Sequence, residues 1–234
     1  KTLAITSLIV PGLYPHSHGI RFLLTHKLNS NVITLQEILK AHGYRTIGNN
    51  IEINNMQGLE KGFDTFNLLR WRVINKIKRT LKKTINWAYK VDPDKTLTDF
   101  AIEYIKKLKN ELFFLYLHYT GLHWPYNPPK PYDEMFDLNY KGKHTFNEIN
   151  DKVSRGDLMF NNNLLKEENE HAVVHYDGSI NSVDFQINRL LEQLNKSNLI
   201  NDTLIVLCGD HGESFGEHNL YFAHVDYLYD ENIK

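Results

Sequence analysis

Cysteine is nearly missing from this chain: Cys208 is the only one in 234 residues. That excludes an internal disulfide framework and every multi-cysteine zinc site. Long apolar runs are missing too. The longest, Leu112–Leu117 and Leu204–Cys208, fall far short of the roughly 20 residues that a membrane helix needs. Charge of one sign is not in excess, since 27 basic residues face 28 acidic ones. Nucleic acid and anionic lipid therefore find no bulk attraction here. No signal or targeting pattern is visible. What remains is 41% hydrophobic and 24% charged, the composition expected of one soluble globular domain with a real core.

Two features stand out against that background. Histidine occurs twelve times, clustered in four short segments. The sequence also begins Lys1-Thr2 without an initiator methionine and stops at Asn232-Ile233-Lys234 in mid-pattern. These ends lead us to expect a piece of a longer protein, a single α/β domain over 1–234 incomplete at both ends.

Helical and strand signals alternate along the chain. Thr34–His42 predicts a short helix with Thr34 as cap, Glu37 three residues on and Gly43 after its end. Tyr44–Gly48 reads as a short strand. Thr65–Tyr89 carries Leu68, Leu69, Val73, Ile77, Leu81 and Ile85 at helical spacing with Lys and Arg between them, the pattern of a solvated amphipathic helix. Asp94–Lys109 predicts a helix with Leu97, Ala101, Tyr104, Ile105 and Leu108 on one face. Leu112–Tyr119 is too short for a helix and reads as a buried strand, followed by a loop at Pro125, Pro128, Pro129 and Pro131. Residues 139–170, rich in Asn, Lys, Glu and Asp, read as a surface insertion. His171–Asn195 predicts a long helix with Tyr176, Ile180, Val183, Ile187, Leu190, Leu191 and Leu194 facing inward. Thr203–Cys208 reads as a second buried strand. Helices feeding apolar strands argue for a mostly parallel central sheet with helices on both faces. In such sheets ligands bind beyond the carboxyl ends of the strands, where His118, His123, Asp210 and His211 would fall.

Three segments could carry chemistry. Gly209-Asp210-His211-Gly212-Glu213 sets a carboxylate beside an imidazole in a glycine-flanked turn, so both reach one divalent cation. A plain polar turn is the alternative, and His218 and His224 nearby favour a site. The segment His118 to Pro129 holds His123 in a proline-stiffened loop, where an imidazole binds an oxyanion or protonates a leaving oxygen. His118 reads equally as a core histidine. Pro11 to Ile20 forms a turn after a short helical run, Thr6–Val10, and on its own places His16 and His18 at the surface.

Taken together, these segments resemble the sulfatase family of the alkaline phosphatase superfamily. The resemblance rests on Pro11-Gly12-Leu13-Tyr14-Pro15-His16-Ser17-His18-Gly19-Ile20, on Leu39–Thr46, on Gly62-Phe63-Asp64-Thr65-Phe66, on Phe113–Pro129, and on Tyr176–Leu194 with Asn201–Asp230. It covers most of the chain outside 139–170. It implies an alkaline phosphatase/sulfatase-like fold and metal-dependent hydrolysis of sulfate or related phosphate esters through a covalent intermediate, on a small-molecule or glycan substrate. Asp210 and His211 match the family's downstream metal pair. Sulfatases mostly carry Asp-Asn there with calcium. Asp-His is closer to phosphonate and phosphate ester hydrolases, for which zinc or manganese is expected. His123 matches the histidine that contacts the ester, and His224 the position near the substrate oxyanion. Glu213, His218 and His16 match supporting positions.

Two departures bear on the chemistry. Counting ten residues back from Gly12 puts Thr2 at the nucleophile and metal-bridging position. A sulfatase has Cys or Ser there in a Cys-x-Pro-Ser-Arg frame, and Thr2-Leu3-Ala4-Ile5-Thr6 lacks the Pro and the Arg. A threonine nucleophile points toward phosphodiesterases and phosphoethanolamine transferases, with Thr6 and Ser7 as the other candidates. Cys208 reads as a core thiol. The family's first strand, with its acidic metal ligands, has no counterpart before Lys1. An inactive member that kept the fold is the remaining alternative.

Overall fold

The computed structural model describes residues 12–20, 26–50, 58, 60–68, 92–136, 140–142, 144–149 and 166–223. Its first element is a single helical turn, α1 (Pro15–His18). Helix α2 (Leu35–Ala41) follows from strictly local signals. Thr34 Oγ1 accepts the Glu37 amide while the Thr34 amide donates to Glu37 Oε2 at 2.9 Å, the reciprocal capping box. The helix ends where Gly43 turns left-handed at φ +85°. There the Gly43 amide donates to the Lys40 carbonyl and the Tyr44 amide to the Leu39 carbonyl, a Schellman closure that favours glycine.

The chain then runs through β1 (Arg45–Asn50), β2 (Thr65–Leu68), α3 (Pro93–Lys107) and β3 (Phe113–His118). The three strands form one parallel sheet in the order β2-β1-β3. Parallel neighbours at one register share a face, so Gly48, Phe66 and Tyr116 line up together. Phe63 packs on that face, 5.1 Å from Phe66 and 6.0 Å from Phe114 between ring centres. Buried Thr46 ties the loop before β2 to β1. Its hydroxyl accepts the Asp64 amide and donates to the Gly62 carbonyl, both at 2.9 Å. Asp64 Oδ2 accepts the Thr46 amide, and Lys40 stands 2.6 Å from the other carboxylate oxygen. These contacts hold the Asp64 carboxyl below its ordinary range, the Lys40 bond first among them. Helix α3 is capped by Asp92, with Pro93 at its start, and buries Leu97, Ala101 and Ile105 at four-residue spacing.

A 31-residue helix, α4 (Lys166–Lys196), precedes a turn at Ile200–Asp202 and a small antiparallel pair, β4 (Ser214–Phe215) and β5 (Tyr221–Ala223). The contacts group into two compact units, residues 2–120 with 186–206 and residues 121–185 with 207–234. In the first, Ile47, Leu97, Ala101, Ile105 and Leu108 are buried. The core of the second is aromatic: Tyr126, Phe146, Ile149, Ala172 and Phe222, flanked by Trp124, Tyr176, Phe215 and Tyr221.

Several expectations need correction. Residues 65–68 are strand, not the start of a helix, because they complete a ladder on β1; residues 69–91 lie outside the described set. Strand β3 is where expected but half-buried. Thr203–Cys208 is neither strand nor buried: Leu204 is 89% and Val206 76% exposed, and Cys208 is exposed rather than a core thiol. Apolar, β-branched residues favour extended backbone, but burial requires a partner strand or layer, and none of the described strands pairs with this run. Phe146 and Ile149, inside the stretch read as a surface insertion, are buried in the aromatic core. Ile180, expected inward on α4, is 42% exposed, while Ser179, Ser182 and Gln186 are buried.

Candidate active site

The Asp210–His211 turn is built from its own backbone. The His211 amide donates to Asp210 Oδ1 at 3.1 Å, which fixes the carboxylate and turns Oδ2 inward. His211 Nδ1 lies 2.8 Å from the Gly212 carbonyl. A carbonyl only accepts, so Nδ1 carries the proton and Nε2 the lone pair of the neutral ring. That Nε2 stands 3.7 Å from Asp210 Oδ2. Asp210 Oδ2 is itself buried with no hydrogen-bond partner. A buried carboxylate oxygen left so is costly unless something positive meets it. The donor set, one carboxylate oxygen and one oriented imidazole nitrogen, suits a divalent cation, and the Gly212 carbonyl is the outer contact that orients such a ligand. The pair thus fits the metal that the sequence implies. Among the described residues no group of three or more His, Cys, Asp and Glu converges as a complete metal site.

His123 is exposed on the loop after β3. Its Nδ1 donates to the Trp124 carbonyl at 2.7 Å, so in the neutral ring the lone pair is on Nε2. The residues around these two segments share one core. Trp124 stacks on Phe222 at 4.4 Å, and Tyr126 lies 6.0 Å from Phe215. The loop bearing His123 and the strands that follow Asp210–His211 are therefore fastened to each other.

The remaining candidates fall out as follows. Thr2, Thr6, Ser7 and His224 lie outside the described residues. His118 is half-buried at the end of β3. His16 is exposed and stacks on Tyr14. His18 is fully buried, contrary to the surface position expected, and burial lowers its pKa; its Nδ1 accepts the Ile20 amide. His218 is exposed with left-handed backbone, φ +54°. His144, His171 and His175 belong to a different cluster. His144 pairs with buried Glu168, His171 stacks on Tyr140 at 3.7 Å, and His175 on Phe146 at 4.0 Å. Part of the histidine excess is thus structural and lies in and beside the 139–170 stretch.

Two aromatic residues packed against the strand after the Asp210–His211 turn were missed. Tyr126 is fully buried, and burial first, then the Glu213 carboxylate, push its phenol far above the ordinary range. Tyr176 is raised in the same order of causes. Tyr176 read as an inward-facing helix residue and Tyr126 as part of the proline-stiffened loop, and no local pattern linked either to Phe215.

Residues 5–234 match the family model described as Sulfatase. An arylsulfatase of Clostridium perfringens is 28% identical over 149 residues, covering 60% of this chain and 31% of that protein. Human iduronate 2-sulfatase is 28% identical over 149 residues, 54% of this chain and 26% of that protein. The chain therefore spans under a third of the length of these relatives in the matched stretches. The phosphonate monoester hydrolase SpPMH from Silicibacter pomeroyi superposes with a TM-score of 0.70 at 17% identity, over 98% of this chain and 56% of that one. Its likeness shows the fold: a parallel sheet with helices of the alkaline phosphatase-like kind. With the family match running over nearly every residue, this chain belongs to the sulfatase family.

Proposed function

We propose that this chain carries the ester-hydrolysing machinery of a sulfatase acting on a small-molecule or glycan sulfate ester. The observation that carries the proposal is the buried, unpartnered Oδ2 of Asp210 facing the lone-pair nitrogen of His211. Asp210 and His211 would hold one divalent cation, which when bound supplies positive charge to the attacking oxygen and the transferring group. Thr2 is assigned the nucleophile: its oxygen attacks sulfur, and the bond from sulfur to the ester oxygen breaks. His123 takes the Thr2 hydroxyl proton on Nε2 and gives it to the departing alcohol; water then attacks sulfur, the bond from Thr2 oxygen to sulfur breaks, and a proton from that water returns to Thr2 as sulfate leaves. His224 is assigned the contact to the ester's charged oxygens.

The donor set favours a second reading within the family's wider group. An imidazole ligand suits manganese or zinc better than calcium, which prefers oxygen. Together with threonine at position 2, this points to phosphonate or phosphodiester substrates. Initial rates with 4-nitrophenyl sulfate and 4-nitrophenyl phenylphosphonate separate the two. Faster turnover of the sulfate is expected; faster turnover of the phosphonate transfers the assignment, and no turnover of either refutes a working hydrolase.

A further inference from the structure

We propose that Phe146, clamped to α4 through His144 and Glu168, positions His123 by wedging the Trp124 ring, so that the Trp124 carbonyl keeps hold of the His123 ring proton. Phe146, His144 and Glu168 are positioning residues, and the proposal rests on the reading of His123 as the group that moves the proton. The His123 bond runs to the carbonyl of the very next residue, so it survives only while the Trp124 backbone keeps one direction. That backbone is held through its ring. The indole stacks on Phe222 at 4.4 Å, meets Tyr126 edge-on at 4.8 Å and packs against Phe146 at 5.7 Å between ring centres. Its Nε1–H is buried and makes no hydrogen bond, so ring contacts alone orient it.

Phe146 lies within the 139–170 stretch and is fixed there from several sides. Thr145 caps the turn at 146–149. Its amide donates to Glu148 Oε2 at 2.8 Å, and the Glu148 amide donates to Thr145 Oγ1 at 3.4 Å, a reciprocal box like that of α2. One residue earlier, His144 Nδ1 pairs with Glu168 Oε1 of α4, a side chain only 1% exposed. A carboxyl group so buried is costly to leave unpaired, so separating His144 from α4 is unfavourable. The Phe146 ring stacks on His175 of the same helix at 4.0 Å, and Ile149 and Ala172 share its core. Contacts thus run from α4 through Glu168, His144 and Phe146 to Trp124 and His123. Their consequence is chemical. With the proton on Nδ1, the neutral His123 ring has its lone pair on Nε2 and accepts a proton there; in the other tautomer Nε2 already carries one. A histidine in the wrong tautomer loses catalysis even where the fold is intact.

Long-range ¹H–¹⁵N correlation spectra of the intact protein, labelled at histidine, read the tautomer without reference to turnover; the His123 signals are those lost in His123→Gln. The unaltered protein is expected to hold His123 as Nδ1–H, and Phe146→Leu and His144→Ala to shift it toward Nε2–H. On the faster nitrophenyl substrate, both variants are expected to lower kcat about tenfold with KM within about twofold. In a His123→Ala background the same changes should cost less than about twofold, because their effect passes through that ring. Glu168→Gln, which keeps an acceptor for His144, should stay within about threefold of the unaltered rate. Melting curves report the fold separately; if Phe146→Leu does not fold, His144→Ala, at a partly exposed ring, decides alone. The proposal is overturned if unaltered His123 is Nε2–H, if the folded variants keep the Nδ1–H form, or if their losses add in full on His123→Ala. It is overturned too if their kcat stays within about twofold while His123→Ala is slow. If His123→Ala turns over at the unaltered rate, the reading of His123 in the chemistry fails, while a tautomer shift still establishes the positioning.

Discussion

Gly178→Ala sets two effects of opposite sign against each other. Gly178 lies inside α4, where alanine is the better helix former by about 1 kcal/mol. Propensity alone therefore predicts a more stable protein. The position, however, is where the proline loop crosses the helix. A methyl placed on Gly178 falls 2.3 Å from the Tyr132 carbonyl oxygen, 3.2 Å from the Tyr132 carbonyl carbon and 3.2 Å from Pro128 Cγ. Ordinary contact begins at 3.4 Å, so the loop must retreat by roughly 1 Å. The closest atom is backbone and cannot swing aside as a side chain does. Prolines at 128, 129 and 131 leave the loop few ways to yield. Overpacking of this kind costs about 1–3 kcal/mol, here toward the upper end. The expected net effect is a loss of about 1–2 kcal/mol, read as a lower urea midpoint at unchanged m-value, or a fall of roughly 2–8 °C in Tm. A variant with a raised midpoint would refute the reasoning, since propensity would then have outweighed the contact.

Three further outcomes follow from local geometry. Thr34→Ala removes the α2 cap and the hydroxyl bond to the Lys61 carbonyl at 3.1 Å; it should cost about 1–2 kcal/mol in denaturant unfolding. His18 is disfavoured from protonating in the fold by burial, so between its folded pKa and its unfolded value of 6.5 the unfolded chain holds more protons. Stability should therefore fall as pH drops below 6.5 and level off below the folded pKa, and His18→Gln should flatten that slope in melting curves taken across this range. His123→Ala should lower turnover by about 10²–10⁴-fold while leaving Tm nearly unchanged, because the side chain is exposed; equal turnover would remove His123 from the chemistry.

The legible parts of this protein are those written in adjacent residues. The α2 helix announced itself because cap, capping-box glutamate and terminal glycine all lie between Thr34 and Gly43, and the fold returned each contact. Asp210–His211 was visible for the same reason, since two ligand types side by side need no tertiary knowledge. The misread parts are those decided elsewhere. Thr65–Leu68 carries one leucine of a helical pattern yet is strand, because β1 offered it a ladder. Leu204–Leu207 has the residues of a core strand, but burial belongs to whatever packs against a run and not to the run. His18 looked like a turn residue until the fold closed over it. Tyr126 and Tyr176 both pack against Phe215 across separations of tens of residues, which no spacing rule reports.

The claim that Asp210 and His211 hold the cation on which catalysis depends is tested most directly by one kinetic measurement on the intact protein. Hydrolysis of 4-nitrophenyl sulfate, or of 4-nitrophenyl phenylphosphonate if that is the faster substrate, would be followed in the unaltered enzyme and in Asp210→Asn, each after chelation and after readdition of Ca²⁺ or Mn²⁺. The account predicts that chelation stops turnover, that a divalent cation restores it only in the unaltered enzyme, and that Asp210→Asn is slower by about 100-fold or more with its Tm preserved. Turnover by Asp210→Asn at the unaltered rate, or indifference to chelation, would contradict it.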